Sequence, residues 1–185
     1  HTDNRRQRQM CIRDRLILSL ILITSCVNVN NAEKVVETNS VIGYDMSDDD
    51  KKRDLIPGSL SNIIVWEKYI KAHNEVDLEQ IKSLDSDSIT IRGPRGELIK
   101  GIDAHIEFLT TWFEANSPKW KIKYAIANDL STDENERREW VTVGHDITLQ
   151  VEGNQVNAAQ IIDVRISGGK IQEFLVYERA KGEDE

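Results

Sequence analysis

Residues 120–177 read WKIKYAIANDLSTDENERREWVTVGHDITLQVEGNQVNAAQIIDVRISGGKIQEFLVY, and this stretch decides the fold. Short polar segments interrupt it at residues 132–136, 152–154 and 167–170. Long runs between such tight turns predict an antiparallel meander, because a parallel crossover needs a much longer connection. A long, twisted sheet must cover one face with apolar side chains. We therefore predict an α+β domain in which helices pack against a meander of four long strands.

The residues before this stretch predict the helical cover. Ser59 or Ser61 can cap a first helix whose apolar positions recur at three- and four-residue spacing, and Asp77 can cap a short second helix. An alternating strand over 88–92 and a hairpin-like turn follow. The third helix, predicted over 102–116, carries one broad apolar face made of Ile102, His105, Ile106, Leu109, Trp112 and Phe113.

The amino-terminal region predicts export. Arg13 and Arg15 precede a mostly aliphatic run over 16–23, which is too short to span a bilayer and is typical of a secretion signal. The run ends in Ile-Thr-Ser-Cys, which resembles the lipobox of bacterial lipoproteins, and this implies that Cys26 is lipidated and becomes the new amino terminus. The protein is then expected in the bacterial cell envelope, as a periplasmic or outer-membrane lipoprotein. The alternative is an ordinary cleaved leader with a coincidental cysteine, which predicts a secreted protein.

Composition divides the chain into three predicted segments: a leader over 1–26, a flexible tether over 27–57 and a folded domain over 58–182. The tether is rich in Asn, Asp, Ser and Glu and lacks sustained apolar periodicity. Residues 1–9 fit no signal pattern, and an artefact of the gene model would account for them. The formal net charge of -8 and the lack of a basic stripe argue against nucleic-acid binding.

The order of helices, hairpin and meander over residues 59–181 resembles the NTF2-like superfamily and, within it, the SnoaL-like domains. The resemblance is carried by YIKAHNEVDLEQI at 69–81, SITI at 88–91, GIDAHI at 101–106 and the last hairpin at 162–171. It implies an α+β cone, in which a curved antiparallel sheet wraps around about three amino-terminal helices and leaves an apolar cavity at its open end. It also implies a homodimer formed through the outer face of the sheet.

Proton-transfer enzymes on this fold, such as ketosteroid isomerase, use a tyrosine and an aspartate as oxyanion donors. The resemblance places Tyr69 and Asp163 at these positions, but it places the catalytic base at Gly93, which has no side chain to accept a proton. The isomerase chemistry is therefore not expected. Other candidate bases are His73, His105, His145 and Asp146. Imidazole titrates near neutral pH, and burial in an apolar cavity can raise the pKa of a carboxyl group toward it.

Three polar residues of the meander lie amid its apolar rows. His145 lies in an alternating apolar row over 141–151, which suits a pocket-lining acid or base and equally a core histidine bonded to a neighbour. Asp163 and Arg165 are expected on one inward face, as a polar floor of the cavity or as a structural ion pair. The cavity wall is predicted to include Trp66, His73, His105, Phe108, Trp112, Tyr124 and Arg165.

The leading hypothesis is a domain that binds a small, largely apolar molecule in its cone, and the sequence leaves open whether it also transforms that molecule. The catalytic version is a lyase or isomerase that needs no cofactor, with His145, Asp163 and Tyr69 at the site. The alternative is a noncatalytic structural or protein-interaction module of the cell envelope. No spacing of His, Asp or Glu indicates a metal site, and no glycine-rich loop indicates a cofactor. The lipid anchor is the one expected contact with a membrane.

Overall fold

A computed structural model describes residues 40–46, 50–131 and 137–182. Within these ranges the helices are α1 (Leu60–Glu75), α2 (Leu78–Leu84) and α3 (Ile102–Asn116). The strands are β1 (Gly43–Met46), β2 (Lys52–Pro57), β3 (Asp85–Arg92), β4 (Leu98–Lys100), β5 (Lys119–Ser131), β6 (Arg137–Val151), β7 (Asn154–Ser167) and β8 (Lys170–Ala180).

The strands form one sheet in the order β1-β2-β5-β6-β7-β8-β3-β4. The strands β5 to β8 pair antiparallel with their neighbours in sequence, as the short turns predicted. The last of them, β8, also pairs with β3, and this pair is parallel. The sheet is curved and wraps around the helices, so the predicted α+β cone is confirmed.

The strands β1 and β2 differ from the sequence prediction. The sequence predicts a flexible tether over 27–57, but these two strands form a hairpin whose second strand pairs with β5, with Leu55 opposite Leu130. The tether prediction is therefore wrong for the residues of β1 and β2. The strands are only four and six residues long, and their partner lies far along the chain, so no local pattern indicates them.

The predicted leader, the predicted lipidation of Cys26 and the tether up to residue 39 lie outside the described residues. Among the residues that the structure does describe, no helix has both the length and the apolar character needed to cross a membrane. Export and lipid anchoring therefore stay predictions.

The helices begin where the sequence predicts. The hydroxyl of Ser59 caps α1 by accepting from the N–H of Ser61, and the carboxylate of Asp77 caps α2 by accepting from the N–H of Gln80. The helix α3 has the predicted bounds. Buried side chains of the helices and of the concave sheet face form one core, which includes Trp66, Ile70, Leu109, Phe113, Val141, Val143, Ile162, Val164, Ile166 and Ile171.

Candidate ligand cavity and its acid/base network

The concave face of the sheet and the helices α1 and α3 enclose a cavity of about 430 Å³. This volume lies in the range of small-molecule sites. The aromatic side chains of Trp66, Phe108 and Trp112 line it, as the sequence predicts, and the exposed turn at 93–97 borders it. Further apolar wall comes from Ile70, Ile91, Ile99, Leu109, Leu149, Val151, Val156, Ala158, Ile162, Phe174 and Val176.

A buried network of three side chains lies beside this cavity. The hydroxyl of Tyr69 donates to Oδ1 of Asp85 at 2.8 Å, and Nδ1 of His105 lies 2.8 Å from Oδ2 of the same carboxylate. Asp85 is 1% exposed, and Tyr69 and His105 are buried as well. Burial, and then the charge of Asp85, raise the pKa of Tyr69 well above its ordinary value. The phenol therefore stays protonated and remains a donor to Asp85.

Three separate elements position this network. Tyr69 lies in the middle of α1, where its ring is part of the buried face. Asp85 ends α2 and begins β3, and its backbone N–H donates to the carbonyl of Ile81. His105 lies in the first turn of α3, where its backbone N–H donates to the carbonyl of Gly101. Tyr69 and His105 border the cavity, whereas Asp85 does not.

In this geometry His105 can act as a base, because Asp85 fixes its ring orientation and its tautomer. A carboxylate accepts hydrogen bonds, so Nδ1 of His105 carries the proton that Asp85 binds, and Nε2 of the neutral ring carries a lone pair. No described residue makes a hydrogen bond to that Nε2. Once Nε2 has accepted a proton, the carboxylate stabilises the imidazolium, as in a catalytic triad. The phenol of Tyr69 fixes the other carboxylate oxygen and thereby the orientation of the whole pair.

A second imidazole, His73, also borders the cavity. Its Nδ1 lies 2.8 Å from the carbonyl oxygen of Tyr69, one helical turn earlier. Because a carbonyl oxygen can only accept, Nδ1 is the protonated nitrogen and Nε2 is an acceptor. Burial lowers the pKa of His73 to about 3, opposed in part by the backbone of Tyr69 and reinforced by the neighbouring His105. The ring of His73 is therefore neutral near pH 7.

A chain of hydrogen bonds occupies another side of the cavity. The indole N–H of Trp120 donates to Oε1 of Gln160 at 2.9 Å, and the amide of Gln160 donates to Glu178 at 2.8 Å. Gln160 and Glu178 are directly opposite each other on β7 and β8. The guanidinium of Arg95 lies 3.9 Å from Glu178, and Glu97 borders the same region of the cavity. Two carboxylates and one cation therefore lie close together in this part of the wall.

His145 does not line the cavity. It lies on the inward face of β6, as the sequence predicts, but its Nε2 accepts a hydrogen bond of 3.0 Å from the indole N–H of Trp66. It is Trp66 that forms the wall at this point. Burial lowers the pKa of His145 to about 4, opposed in part by the backbone of Val143. The structure thus shows a core histidine bonded to a neighbour, which is not placed to act on a ligand in this cavity.

Asp163 and Arg165 project from the outer face of the sheet, so their predicted inward orientation is wrong. On β7 the alternate residues Ile162 and Val164 are buried against the helices, which directs the residues between and after them outward. The hydroxyl of Thr142 donates to Asp163 at 2.6 Å across the neighbouring strand. The outer face therefore holds Asp163 away from the cavity and from Tyr69.

Two of the predicted wall residues, Arg165 and Tyr124, lie on this outer face. Arg165 pairs with Glu173 at 2.7 Å. The ring of Tyr124 covers Gly144, where an added Cβ would lie 2.2 Å from a ring carbon. The pairing of β5 with β6 shifts register between Ile122 and Tyr124. This bulge reverses the alternation along β5, so Tyr124 faces outward although Ile122 faces the core.

The sequence analysis does not predict two residues of the site, Asp85 and Gln160. Asp85 lies in an Asp-Ser-Asp segment that is typical of a turn, and only the packing of α1 and α3 gives its carboxylate two donors. Gln160 interrupts the inward row of β7, which is the same signal that selects His145 on β6. Among residues 40–46, 50–131 and 137–182 there is no group of three or more His, Cys, Asp or Glu side chains that could hold a metal ion.

No protein-family model matches this chain, and no curated protein does so either. Solved structures are similar to it. An LEH-like epoxide hydrolase from Mycobacterium tuberculosis has a TM-score of 0.56 and 15% identity, over 65% of this chain and 84% of that one. A protein described as a SnoaL-like polyketide cyclase, from Shewanella denitrificans, has a TM-score of 0.53 and 13% identity, over 65% of this chain and 92% of that one.

A further similar structure is a Mycobacterium tuberculosis protein in complex with estradiol-17beta-hemisuccinate. Its TM-score is 0.51 and its identity 16%, over 66% of this chain and 95% of that one. Such low identities establish architecture and not activity. The chain has the NTF2-like fold, the α+β cone that its sequence predicts.

Proposed function

We propose that the domain binds a small, largely apolar molecule in its cavity and moves a proton on it, with His105 as the base. The observation that carries this proposal is the Nε2 of His105, which lacks a hydrogen-bond partner among the described residues and lies beside a cavity of about 430 Å³, while Asp85 holds the other ring nitrogen. A base that takes a proton and returns it elsewhere is enough for an isomerisation or an elimination, without a cofactor. Tyr69 supports the base through Asp85 and does not contact the ligand with its hydroxyl, which differs from the predicted role.

The alternative of a noncatalytic module predicts a cone filled by its own side chains. The cavity is instead large enough for a small molecule. Of the polar residues predicted at the cavity, Tyr69, His73 and His105 line it, whereas His145, Asp163 and Arg165 do not. The two histidines supply ring nitrogens that have no partner among the described residues. Apolar walls with a few convergent polar atoms favour a ligand site over a packed core.

A bulky side chain placed inside the cavity is expected to abolish ligand binding. Ala158 lines the cavity, so Ala158→Phe directs a ring into the space that a ligand needs. Ala159, the next residue on β7, lies on the opposite face, so Ala159→Phe is the matched control. With N-phenyl-1-naphthylamine as the probe, we expect the fluorescence gain on binding in the wild type and in Ala159→Phe but not in Ala158→Phe. Equal signals from the two variants would contradict binding in this cavity.

We also propose that two copies of the chain associate through the outer face of the sheet. Tyr124, Ile161 and Tyr177 lie in one row across β5, β7 and β8, in register with Gly144, and Ile126 lies beside them. Each of these four side chains is at least 44% exposed, so together they form an exposed apolar patch of the kind that marks interaction surfaces. The surface is available for self-association.

Light scattering at micromolar concentration tests this association. The wild type is expected as a dimer, and Ile161→Lys as a monomer, because it places a charge in the middle of the apolar row. Leu60→Lys introduces the same charge at an exposed position of α1 and is expected to leave the dimer intact. A wild-type mass equal to one chain would rule the dimer out.

We further propose, from the leader sequence, that the protein is exported and anchored by lipid at Cys26. Metabolic labelling with an alkyne fatty acid is expected to mark the wild type and to leave Cys26→Ala unmarked. Incorporation of label into both proteins, or into neither, would contradict lipidation at Cys26. Recovery of the unlabelled wild type in the medium would favour the ordinary cleaved leader.

A further inference from the structure

The cavity offers a ligand two histidine ring nitrogens. His73 and His105 both line it, and each uses Nδ1 on the protein, on the Tyr69 carbonyl and on Asp85 respectively. The Nε2 atoms of both rings have no partner among the described residues, and neither atom is sealed from the cavity. A ligand inside the cavity can therefore reach both.

The two rings are close enough to act on one polar group. Their centroids lie 6.2 Å apart and their planes are tilted by 33°. Two hydrogen bonds of about 2.9 Å that meet at one oxygen join atoms up to about 6 Å apart, which is of the order of this separation between the rings. The spacing of the rings therefore allows a single hydroxyl group to lie between them.

The polarity of these nitrogens selects the group that fits. His73 is fixed as an acceptor by its bond to the Tyr69 carbonyl, so it can bind only a donor. His105 accepts when neutral and donates once it holds the extra proton. A hydroxyl has one proton to donate: it pairs with both rings when His105 is protonated, by accepting from His105 while it donates to His73, and with neutral His105 it donates to one of the two rings. A ketone or ether, which has no donor, leaves His73 unpaired.

Several other polar groups of the wall are already paired. Trp120, Gln160 and Glu178 form their own chain, and the amide of Asn116 donates to the carbonyl of Trp112. Glu97 and Glu178 outnumber Arg95 where the turn at 93–97 borders the cavity. This local excess of negative charge, in a chain of net charge -8, disfavours a carboxylate ligand.

We propose that the ligand class is a phenol or alcohol on an apolar body, uncharged, whose hydroxyl lies between His73 and His105. This inference rests on the proposed function and adds the chemical class of the ligand. Sites built to bond a hydroxyl discriminate strongly against analogues without it, because their buried polar atoms are then left unpaired.

Three matched naphthalenes test the assignment: 2-naphthol, 2-methoxynaphthalene and 2-naphthoate, each measured by titration calorimetry at pH 7. We expect 2-naphthol to bind roughly tenfold or more tighter than either of the others. In His73→Phe the preference for 2-naphthol over the ether is expected to fall by roughly threefold or more, because one of the two acceptor nitrogens is gone. Asp163→Asn, on the outer face, is expected to keep the wild-type preference.

The wild-type comparison decides the proposal even where His73→Phe does not fold. Equal binding of 2-naphthol and 2-methoxynaphthalene overturns the hydroxyl assignment and leaves binding in the cavity intact. Tighter binding of 2-naphthoate overturns the exclusion of carboxylates. If none of the three binds, both the ligand class and the proposed function fail. An unchanged preference in a folded His73→Phe removes His73 from the site.

Discussion

An asparagine in place of Asp85 is expected to change the tautomer of His105. The side-chain amide has one acceptor and one donor group, and the hydroxyl of Tyr69 takes the acceptor. The NH₂ group then faces Nδ1 of His105, which must give up its proton, so the proton moves to Nε2. Nε2 becomes a donor and can no longer act as a base. In a serine protease triad the same replacement lowers kcat about 10⁴-fold.

Nitrogen-15 NMR of the histidine rings at pH 7 measures this change directly. In the wild type we expect the proton of His105 on Nδ1, and in Asp85→Asn on Nε2. Asp85→Ala, which leaves two buried donors without an acceptor, is expected to lower the free energy of unfolding by about 3 kcal/mol. Asp163→Asn makes the same chemical change on the outer face and is expected to alter neither quantity. If His105 keeps its proton on Nδ1 in Asp85→Asn, then Asp85 does not fix the base.

Acidification is expected to destabilise the fold well above the pH at which carboxylates titrate. The pKa values of His73 and His145 are lowered by burial to about 3 and about 4. Below pH 6.5 the unfolded chain binds protons that the folded chain cannot, so the stability is fully present above this pH and declines as the pH falls. One pKa unit corresponds to about 1.4 kcal/mol, so the two rings together lose on the order of 5 kcal/mol by pH 4.

Urea unfolding between pH 7 and pH 5 isolates the histidines, because most carboxylates stay ionised in this window. The wild type is expected to lose more than 2 kcal/mol per pH unit at the steepest point, which corresponds to about two protons. His145→Gln removes one of the two rings and should roughly halve this slope, although its stability at pH 7 also falls with the loss of the acceptor for Trp66. A slope equal to that of the wild type would show that His145 does not titrate on unfolding.

The parts of the fold that depend on local pattern could be predicted from the sequence. The turns at 152–153 and 168–169 have glycines with positive φ, which is why they separate the strands β6, β7 and β8 so clearly. The bounds of α3 follow from its apolar face and from Pro118, which stops the helix. The β1–β2 hairpin has no such pattern, because its stability comes from a distant partner.

The face of the sheet to which a side chain points is harder to predict than the strands themselves. The resemblance predicts Asp163 on the inward face of the sheet. Its neighbours Ile162 and Val164 occupy that face, so Asp163 lies on the outer one, because successive residues of a strand point to opposite faces. The bulge before Tyr124 reverses the alternation of β5 without any mark in the sequence.

The hydrogen-bond network around Asp85 could not be predicted from the sequence, for a different reason. It joins a helix, a strand start and a second helix that are separate in the sequence, so no spacing indicates it. The sequence predicts the face of His145 correctly. The indole of Trp66 on α1 lies between His145 and the cavity, and only tertiary packing determines this contact. Sequence patterns assign faces; they do not assign which side chain covers another.

The parallel pairing of β8 with β3 has a consequence for synthesis on the ribosome. Phe174, Val176 and Glu178 of β8 complete the cavity wall. The strand β3 is synthesised early, but it can pair with β8 only after the whole meander has been synthesised. Until β8 has emerged, the apolar inner faces of β7 and α3 are exposed on a nascent chain that cannot yet close its cone. A holdase chaperone should therefore raise the yield of folded protein, because it covers these apolar faces until β8 has emerged.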